Sequence, residues 1–269
     1  TFYAYCQLGK VSGEGTKVSM FPIYIPSKER SEKAMTCMNL DAIGRHYTII
    51  TTPEEYHAYQ SLYKGTVLPL QHDGYTLGTT RNIILDYARA MGQTWIWMID
   101  DDMQHMKRFK EGKRRLSSFR ILESLEEKIQ VLPITQAGLE RPSNYPKQEK
   151  DRTWNVFCGG FTAIQVQKIV DIRYDGTTLF YEDVDFCLQL LLAGHCNVRF
   201  DHYTYVTPTC GTAIGGLYEL YRSHTQEKHH SIMAMADKYG PEYMHFRMIN
   251  GVSSIVTHWY KFSGQREAL

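Results

Sequence analysis

Three consecutive carboxylates, Asp100, Asp101 and Asp102, follow directly on five apolar residues, Trp95-Ile96-Trp97-Met98-Ile99. Like charges this close repel one another, and carboxylates beside a buried strand are costly unless a cation compensates them. Hard divalent cations take oxygen ligands, and Mg²⁺ or Mn²⁺ characteristically joins one or two carboxylates to the phosphates of a substrate. The triplet therefore points to a metal beside a nucleotide-bound substrate. A solvated turn or a helix cap is the plainer account of an acidic run, and the abrupt step from apolar to acidic weighs against it.

Two further groups of residues carry chemistry. Gly78-Thr79-Thr80-Arg81-Asn82 leads into Ile83, Ile84, Tyr87, Ala88 and Met91 at helical spacing, closed by Gly92. A glycine turn, a Thr cap and an Arg at a helix start make an anion site, because free N–H groups and a guanidinium converge there. Downstream, Leu179-Phe180-Tyr181-Glu182-Asp183-Val184-Asp185 opens a second helix that runs through Leu188 to Leu192 and ends at Gly194. The helix dipole alone favours acids in a first turn, yet Glu182 and Asp185 share a face and can present carboxylates to a cleft. Between these groups, Trp154 to Ile164 reads as a strand whose Gly159-Gly160 pair lets a ligand approach the backbone or marks a bulge.

The elements that must position these residues follow an alternating order. Phe21 to Ile25 reads as a first core strand, and Pro26 to Ser31 as a polar turn before a helix around Ala34 to Leu40. Ser27 or Ser31 can cap that helix, and Lys28 and Arg30 stand where a base or phosphate can approach. His46 to Thr51 is a second strand, Pro53 to Tyr56 a helix start, Val67 to Leu70 a third strand. The Trp95 to Ile99 run is a strand covered on both faces. This series is that of an α/β protein with a doubly wound, mostly parallel sheet and helices on both faces, whose ligands bind at the carboxyl ends of the strands. Ser118 to Ile129 reads as an amphipathic helix, Gln130 to Thr135 as a strand, and Asn197 to Thr207 as another, carrying His202. The polar, proline-bearing stretch 141–151 reads as a long loop able to act as a lid.

Composition narrows the classes. At 269 residues with 43% hydrophobic content the chain can bury a sizeable core, and it reads as a single domain over 1–269. A donor-binding half would span 21–135, with an acceptor half and C-terminal helices over 151–269. Thirty Lys+Arg against 29 Asp+Glu give +1, so no global field draws the protein to a polyanion. A local patch can: the basic run Lys107 to Arg115 reads first as a solvated loop, and a patch for a polyanionic partner is the alternative. Six cysteines without C-x-x-C spacing indicate neither a zinc ribbon nor a dense disulfide framework, which fits a reducing, nuclear or cytoplasmic setting. No stretch has a transmembrane or signal-peptide layout. A start at Thr1 rather than Met suits a domain of a larger or processed protein.

In order and spacing, from about Phe21 to about His202, these elements resemble the GT-A nucleotide-sugar glycosyltransferases. More narrowly, Ile25-Pro26-Ser27-Lys28-Glu29-Arg30, Trp97-Met98-Ile99-Asp100-Asp101-Asp102 and Phe180-Tyr181-Glu182-Asp183-Val184-Asp185 resemble the TET/JBP-associated glycosyltransferases. That group includes the C-terminal domain of the growth-regulating oestrogen-receptor-associated protein. The resemblance implies a UDP-linked sugar donor, a divalent metal (Mn²⁺ or Mg²⁺) and a hydroxyl acceptor, either a hydroxymethylated base in DNA or a protein Ser/Thr. The donor sugar would be a hexose or an N-acetylhexosamine. Mapped onto this chain, it assigns donor contacts to Ser27, Arg30, Arg81, Asn82, Asp100, Asp101, Gly159 and Gly160. It assigns the metal to Asp102 and Asp100 with His202 as a third ligand and His224 in reserve, and acceptor activation to Asp183 or Glu182. Two rivals stand beside it. A nucleotidyltransferase would carry a glycine-rich loop after its first strand, and Pro26 to Ser31 has the charges without the glycines. A degenerate transferase fold serving as a protein-interaction module would not need Asp100, Asp102, Arg81, Glu182 and Asp183 intact.

Overall fold

The structure, a computed structural model, describes residues 20–72, 74–111, 113–140, 150–208, 225–249 and 252–265. Its main body is one mixed sheet of ten strands: β1 (Ile23–Pro26), β2 (Thr48–Thr51), β3 (Thr66–Pro69), β4 (Trp95–Ile99), β5 (His105–Lys110), β6 (Lys113–Ser117), β7 (Gln136–Glu140), β8 (Arg152–Trp154), β9 (Phe161–Gln165) and β10 (Asn197–Val206). The order across the sheet is β3-β2-β1-β4-β9-β7-β10-β5-β6, with β8 also pairing with β10. β3, β2, β1 and β4 are mutually parallel, as are β7 and β10. β9 enters antiparallel between β4 and β7. The doubly wound α/β expectation holds for the first half, where βα crossovers link parallel strands.

Period-two alternation in β4 shows how the sheet is buried. Trp95, Trp97 and Ile99 join a core formed with α1 (Met35–Ile43), α2 (Tyr56–Leu62) and α4 (Ile121–Gln130). Ile96 and Met98 face the other way, into a core formed with α3 (Leu77–Ala90) and α5 (Glu182–Leu192). Both faces are thus dry, which is why all five residues are apolar. Trp97 keeps its indole N–H satisfied by donating to Glu126 Oε1 at 2.8 Å, and Arg45 completes that buried acid at 2.6 Å. The chain finishes with α6 (Thr225–Tyr243), whose Met235 sits in the α3/α5 core, and a separate hairpin of β11 (Met244–Ile249) and β12 (Val252–Thr257).

Four expectations need correction. Trp154 to Ile164 is not one strand: β8 ends at Trp154 and β9 begins at Phe161, with the Gly159-Gly160 turn between them. Gln130 to Thr135 is not a strand: α4 runs through Gln130, because Leu122, Leu125 and Ile129 continue its buried stripe, and the strand begins at Gln136. Lys107 to Arg115 is not a loop but the larger part of a β-ribbon, β5 and β6, at the sheet edge. Gly78 lies inside α3 rather than in a turn before it, and the cap is Thr76, whose Oγ1 accepts from the Thr79 N–H at 3.1 Å. Most of the suspected lid, 141–149, and His224 lie outside the described residues. Among the described residues, no helix is long and apolar enough to cross a membrane, and Cys37, Cys158, Cys187 and Cys196 are buried thiols.

Candidate active site

β4 ends at Ile99, and the acids leave the sheet at its carboxyl edge. Thr36, in the first turn of α1, holds them: its N–H donates to the Asp101 carbonyl (3.0 Å), and its hydroxyl donates to the Asp100 carbonyl (2.6 Å) and accepts from the Met103 N–H (3.0 Å). Asn39 Nδ2 donates to the carbonyls of Met103 and Gln104. The Asp100 N–H in turn donates to the Gly160 carbonyl at 2.8 Å, tying the turn to β9.

So fixed, the three acids face different ways. Asp101 points inward and is 5% exposed, accepting from Ser27 Oγ and from Arg30 Nη1 (2.6 Å). Burial pushes its pKa up to about 6, with Arg30 opposing. Asp102 is more exposed and lies 3.1 Å from the same Arg30 nitrogen. Asp100 turns to the other side, where its Oδ1 accepts from Arg81 Nη2 at 2.7 Å.

Arg81 is the centre of the arrangement. Its other terminal nitrogen donates to Glu182 Oε1 at 2.8 Å, and its guanidinium lies 5.3 Å from the centre of the Tyr174 ring. The planar fork of arginine spans two carboxylates in a way a lysine does not. Burial works against this charge, but Asp100 and Glu182 outweigh it and hold Arg81 firmly protonated. Tyr181, the residue before α5, adopts a left-handed conformation (φ 68°), uncommon for a non-glycine residue, and so aims the first turn of α5 at Arg81. Burial raises the pKa values of both Glu182 and Asp183, with Arg81 opposing.

The Gly159-Gly160 turn closes the site. Gly160 has φ +68°, and a Cβ there would stand 3.1 Å from Asp100 Oδ2; a Cβ on Gly159 would meet Asp183 Oδ2 at 2.5 Å and collide with Phe157. Tyr205 pins the turn by donating its hydroxyl to the Gly159 carbonyl at 2.8 Å. The result is a crevice lined by Arg81, Met98, Gly159, Gly160, Tyr174 and Asp183.

Residues 21–216 of the sequence match the family described as TET-Associated Glycosyltransferase (TAGT), which is well over half of the chain. The chain belongs to the TET-associated glycosyltransferase family. No curated protein matches it significantly. Among solved structures it is similar to a mannose-1-phosphate geranyltransferase from Thermus thermophilus (9% identity, TM-score 0.39, 69% of this chain and 74% of that one). It is also similar to the apo form of the glycosyltransferase GlyE from Streptococcus pneumoniae (10% identity, TM-score 0.39, 82% of this chain and 64% of that one).

In this TET-associated glycosyltransferase the structure brings Arg81, Asp183, Gly159 and Gly160 into the lining of one crevice, with Asp100 and Glu182 bonded to Arg81 behind it and Asp102 two residues beyond Asp100. It does not gather all the residues singled out in the sequence. Ser27 and Arg30 are turned to Asp101, and Ser27 Oγ also lies 2.6 Å from the Tyr59 hydroxyl. Asn82 clamps backbone, donating to the Tyr174 carbonyl (2.8 Å) and accepting from the Tyr174 N–H (2.9 Å). His202 stands apart: its Nδ1 is 3.2 Å from Asp151 Oδ1 and its ring packs near Phe109. The β10 residue that meets the acidic turn is Val206, bonded to the Gln104 N–H, and four residues of strand, about 13 Å, separate it from His202. Tyr174, Thr36, Tyr59 and Tyr205 carry no motif or spacing signal; each reaches the site through the fold.

Five carboxylates (Asp100, Asp101, Asp102, Glu182, Asp183) face two guanidinium groups, Arg30 and Arg81, so acid is in excess. Among the described residues no set of three or more His, Cys, Asp or Glu side chains is arranged to hold an ion. Two oxygen-donor carboxylates with the remaining positions left to phosphate and water is the habit of Mg²⁺ and Mn²⁺. Asp100 and Asp102 supply two such carboxylates, one bonded to Arg81 and the other beside Arg30; a third protein ligand from His202 does not arise from this geometry.

Proposed function

We propose that the chain is a metal-dependent transferase that moves a hexose or N-acetylhexosamine from a UDP-linked donor to a hydroxyl, borne by a hydroxymethylated base in DNA or by a protein Ser/Thr. The observation that carries this reading is the Arg81 fork, which joins the acid at the end of β4 to the acid at the start of α5 and leaves Asp183 facing the same crevice.

The geometry divides the roles. Glu182 is spent on Arg81, whereas Asp183 holds one oxygen on the Val184 N–H (2.8 Å) and turns the other towards Gly159 and the crevice. Asp183 is therefore the base that takes the acceptor hydroxyl's proton, and its burial-raised pKa suits that task. Arg81 orients Asp100 and contributes positive charge beside the donor diphosphate. The glycine turn lets the donor approach the backbone without a side chain in the way. Asp102 and Asp100 would hold the metal, which when bound neutralises charge on the departing diphosphate.

Calorimetric titration of UDP and UDP-sugars, with and without Mn²⁺, into the wild type and Asp102→Ala tests the donor half of the reading. Metal-dependent binding that disappears in the variant, at unchanged thermal stability, is the expected result. Binding of equal strength without metal, or in Asp102→Ala, contradicts it.

A further inference from the structure

β5 and β6 form a two-stranded ribbon whose register decides where its charges fall. Arg108 lies directly opposite Arg115, and Lys110 directly opposite Lys113. Opposed residues of an antiparallel pair share a face, so these four cations stand on one side of the ribbon, about 5 Å apart across the strands and about 7 Å along them. All four are exposed. The Arg108 guanidinium and the Lys128 ammonium of α4 also converge on a single ring, 5.6 and 5.7 Å from the centre of Tyr203, which extends the cluster onto the helix. Glu111 is the one acid in the sequence from Lys107 to Arg115; it pairs with Arg115 at 2.7 Å and lies 3.8 Å from Lys110. On the opposite face Arg114 is committed to Glu140.

Like charges placed directly across an antiparallel pair destabilise it. Charge on an edge strand discourages pairing with another chain, but alternating signs would serve that purpose without the repulsion. The arrangement is stabilised by a partner that brings closely spaced negative charge. We propose that this face of the ribbon binds the phosphodiester backbone of a nucleic-acid duplex. Two structural features favour a duplex over other polyanions. A two-stranded β-ribbon has the dimensions to lie in a major groove. The ladder from β5 to β10 ends at Arg108, so the Phe109–Arg114 and Lys110–Lys113 pairs lie beyond it, at the free end of the ribbon. The surface is distinct from the Arg81 crevice, and its binding is read without donor or metal, so its failure and the failure of the transfer reading are separable.

The test is fluorescence anisotropy of a labelled DNA duplex with the full chain over a series of salt concentrations. If four phosphates are neutralised, log affinity should fall against log salt with a slope of about −3 to −4. Lys110→Gln combined with Lys113→Gln should weaken binding and flatten that slope by about 2, with the unfolding temperature unchanged or slightly raised as the cross-strand repulsion is relieved. No duplex binding, a slope unaltered by the double substitution, or tighter capture of an acidic peptide or an anionic vesicle than of the duplex would overturn the proposal.

Discussion

Arg81 and Glu182 are 101 residues apart in the chain and meet at 2.8 Å, both buried, with Asp100 on the other arm of the same guanidinium. This contact joins the two halves of the site, and it is made by the one side chain whose shape can serve both acids at once.

Replacement of Arg81 separates charge from shape. Arg81→Leu leaves Glu182 buried without its cation, and loss of one partner of a buried pair costs about 3 kcal/mol, the lower end of the usual range because Asp100 is a third exposed. Arg81→Lys keeps the charge but cannot fork, so it should recover most of the stability while donor affinity stays low. Urea unfolding and UDP calorimetry on the two variants read these effects; equal donor affinity in wild type and Arg81→Lys would show that the fork is not needed.

The two glycines beside the crevice should behave differently. Gly159 lies outside the left-handed region, but an added Cβ would collide with the tip of the Phe157 ring and stand 2.5 Å from Asp183 Oδ2, and Asp183 is anchored at its other oxygen by the Val184 N–H. Gly159→Ala should therefore displace the proposed base, with a rate loss of about a hundredfold for a shift near 1 Å and a small change in stability. Gly160 has φ +68°, so Gly160→Ala should cost about 1–2 kcal/mol by backbone strain before any catalytic effect is counted. Thermal unfolding beside transfer rates distinguishes the two; a Gly159→Ala enzyme of full activity would remove Asp183 from the role.

What the sequence discloses here is what local pattern can carry. The β4 run and its acids are legible because a strand buried on both faces must be apolar throughout, and Arg81 because a helix start with an arginine is an anion site whatever lies around it. The ribbon is hidden by its own chemistry: Lys107-Arg108-Phe109-Lys110 has no apolar alternation, since one face of the ribbon is cationic and the other is held by Phe109 and Arg114. β7 is hidden likewise, because Gln136-Ala137-Gly138-Leu139-Glu140 is poor in β-branched residues and packs by being small and central. The inward turn of Asp101 depends on Ser27, Arg30 and Tyr59, which lie 74, 71 and 42 positions away and which no spacing connects to it.

Asp101 also gives the fold a pH dependence with a definite sign. Its carboxyl, ordinarily at 3.8, is pushed up to about 6 by burial, so between these values the folded protein keeps a proton that the unfolded chain has released. Stability from this group is then fully present below about pH 4, declines as pH rises to about 6, and does not return above it. Two pKa units correspond to about 3 kcal/mol as an upper figure. Asp101→Asn mimics the protonated acid at every pH and escapes the decline. Urea unfolding of both proteins near pH 4 and near pH 7 should show the variant gaining on the wild type by up to about 3 kcal/mol across that interval. A difference that stays constant with pH would mean that Arg30 and Ser27 compensate the buried charge in full.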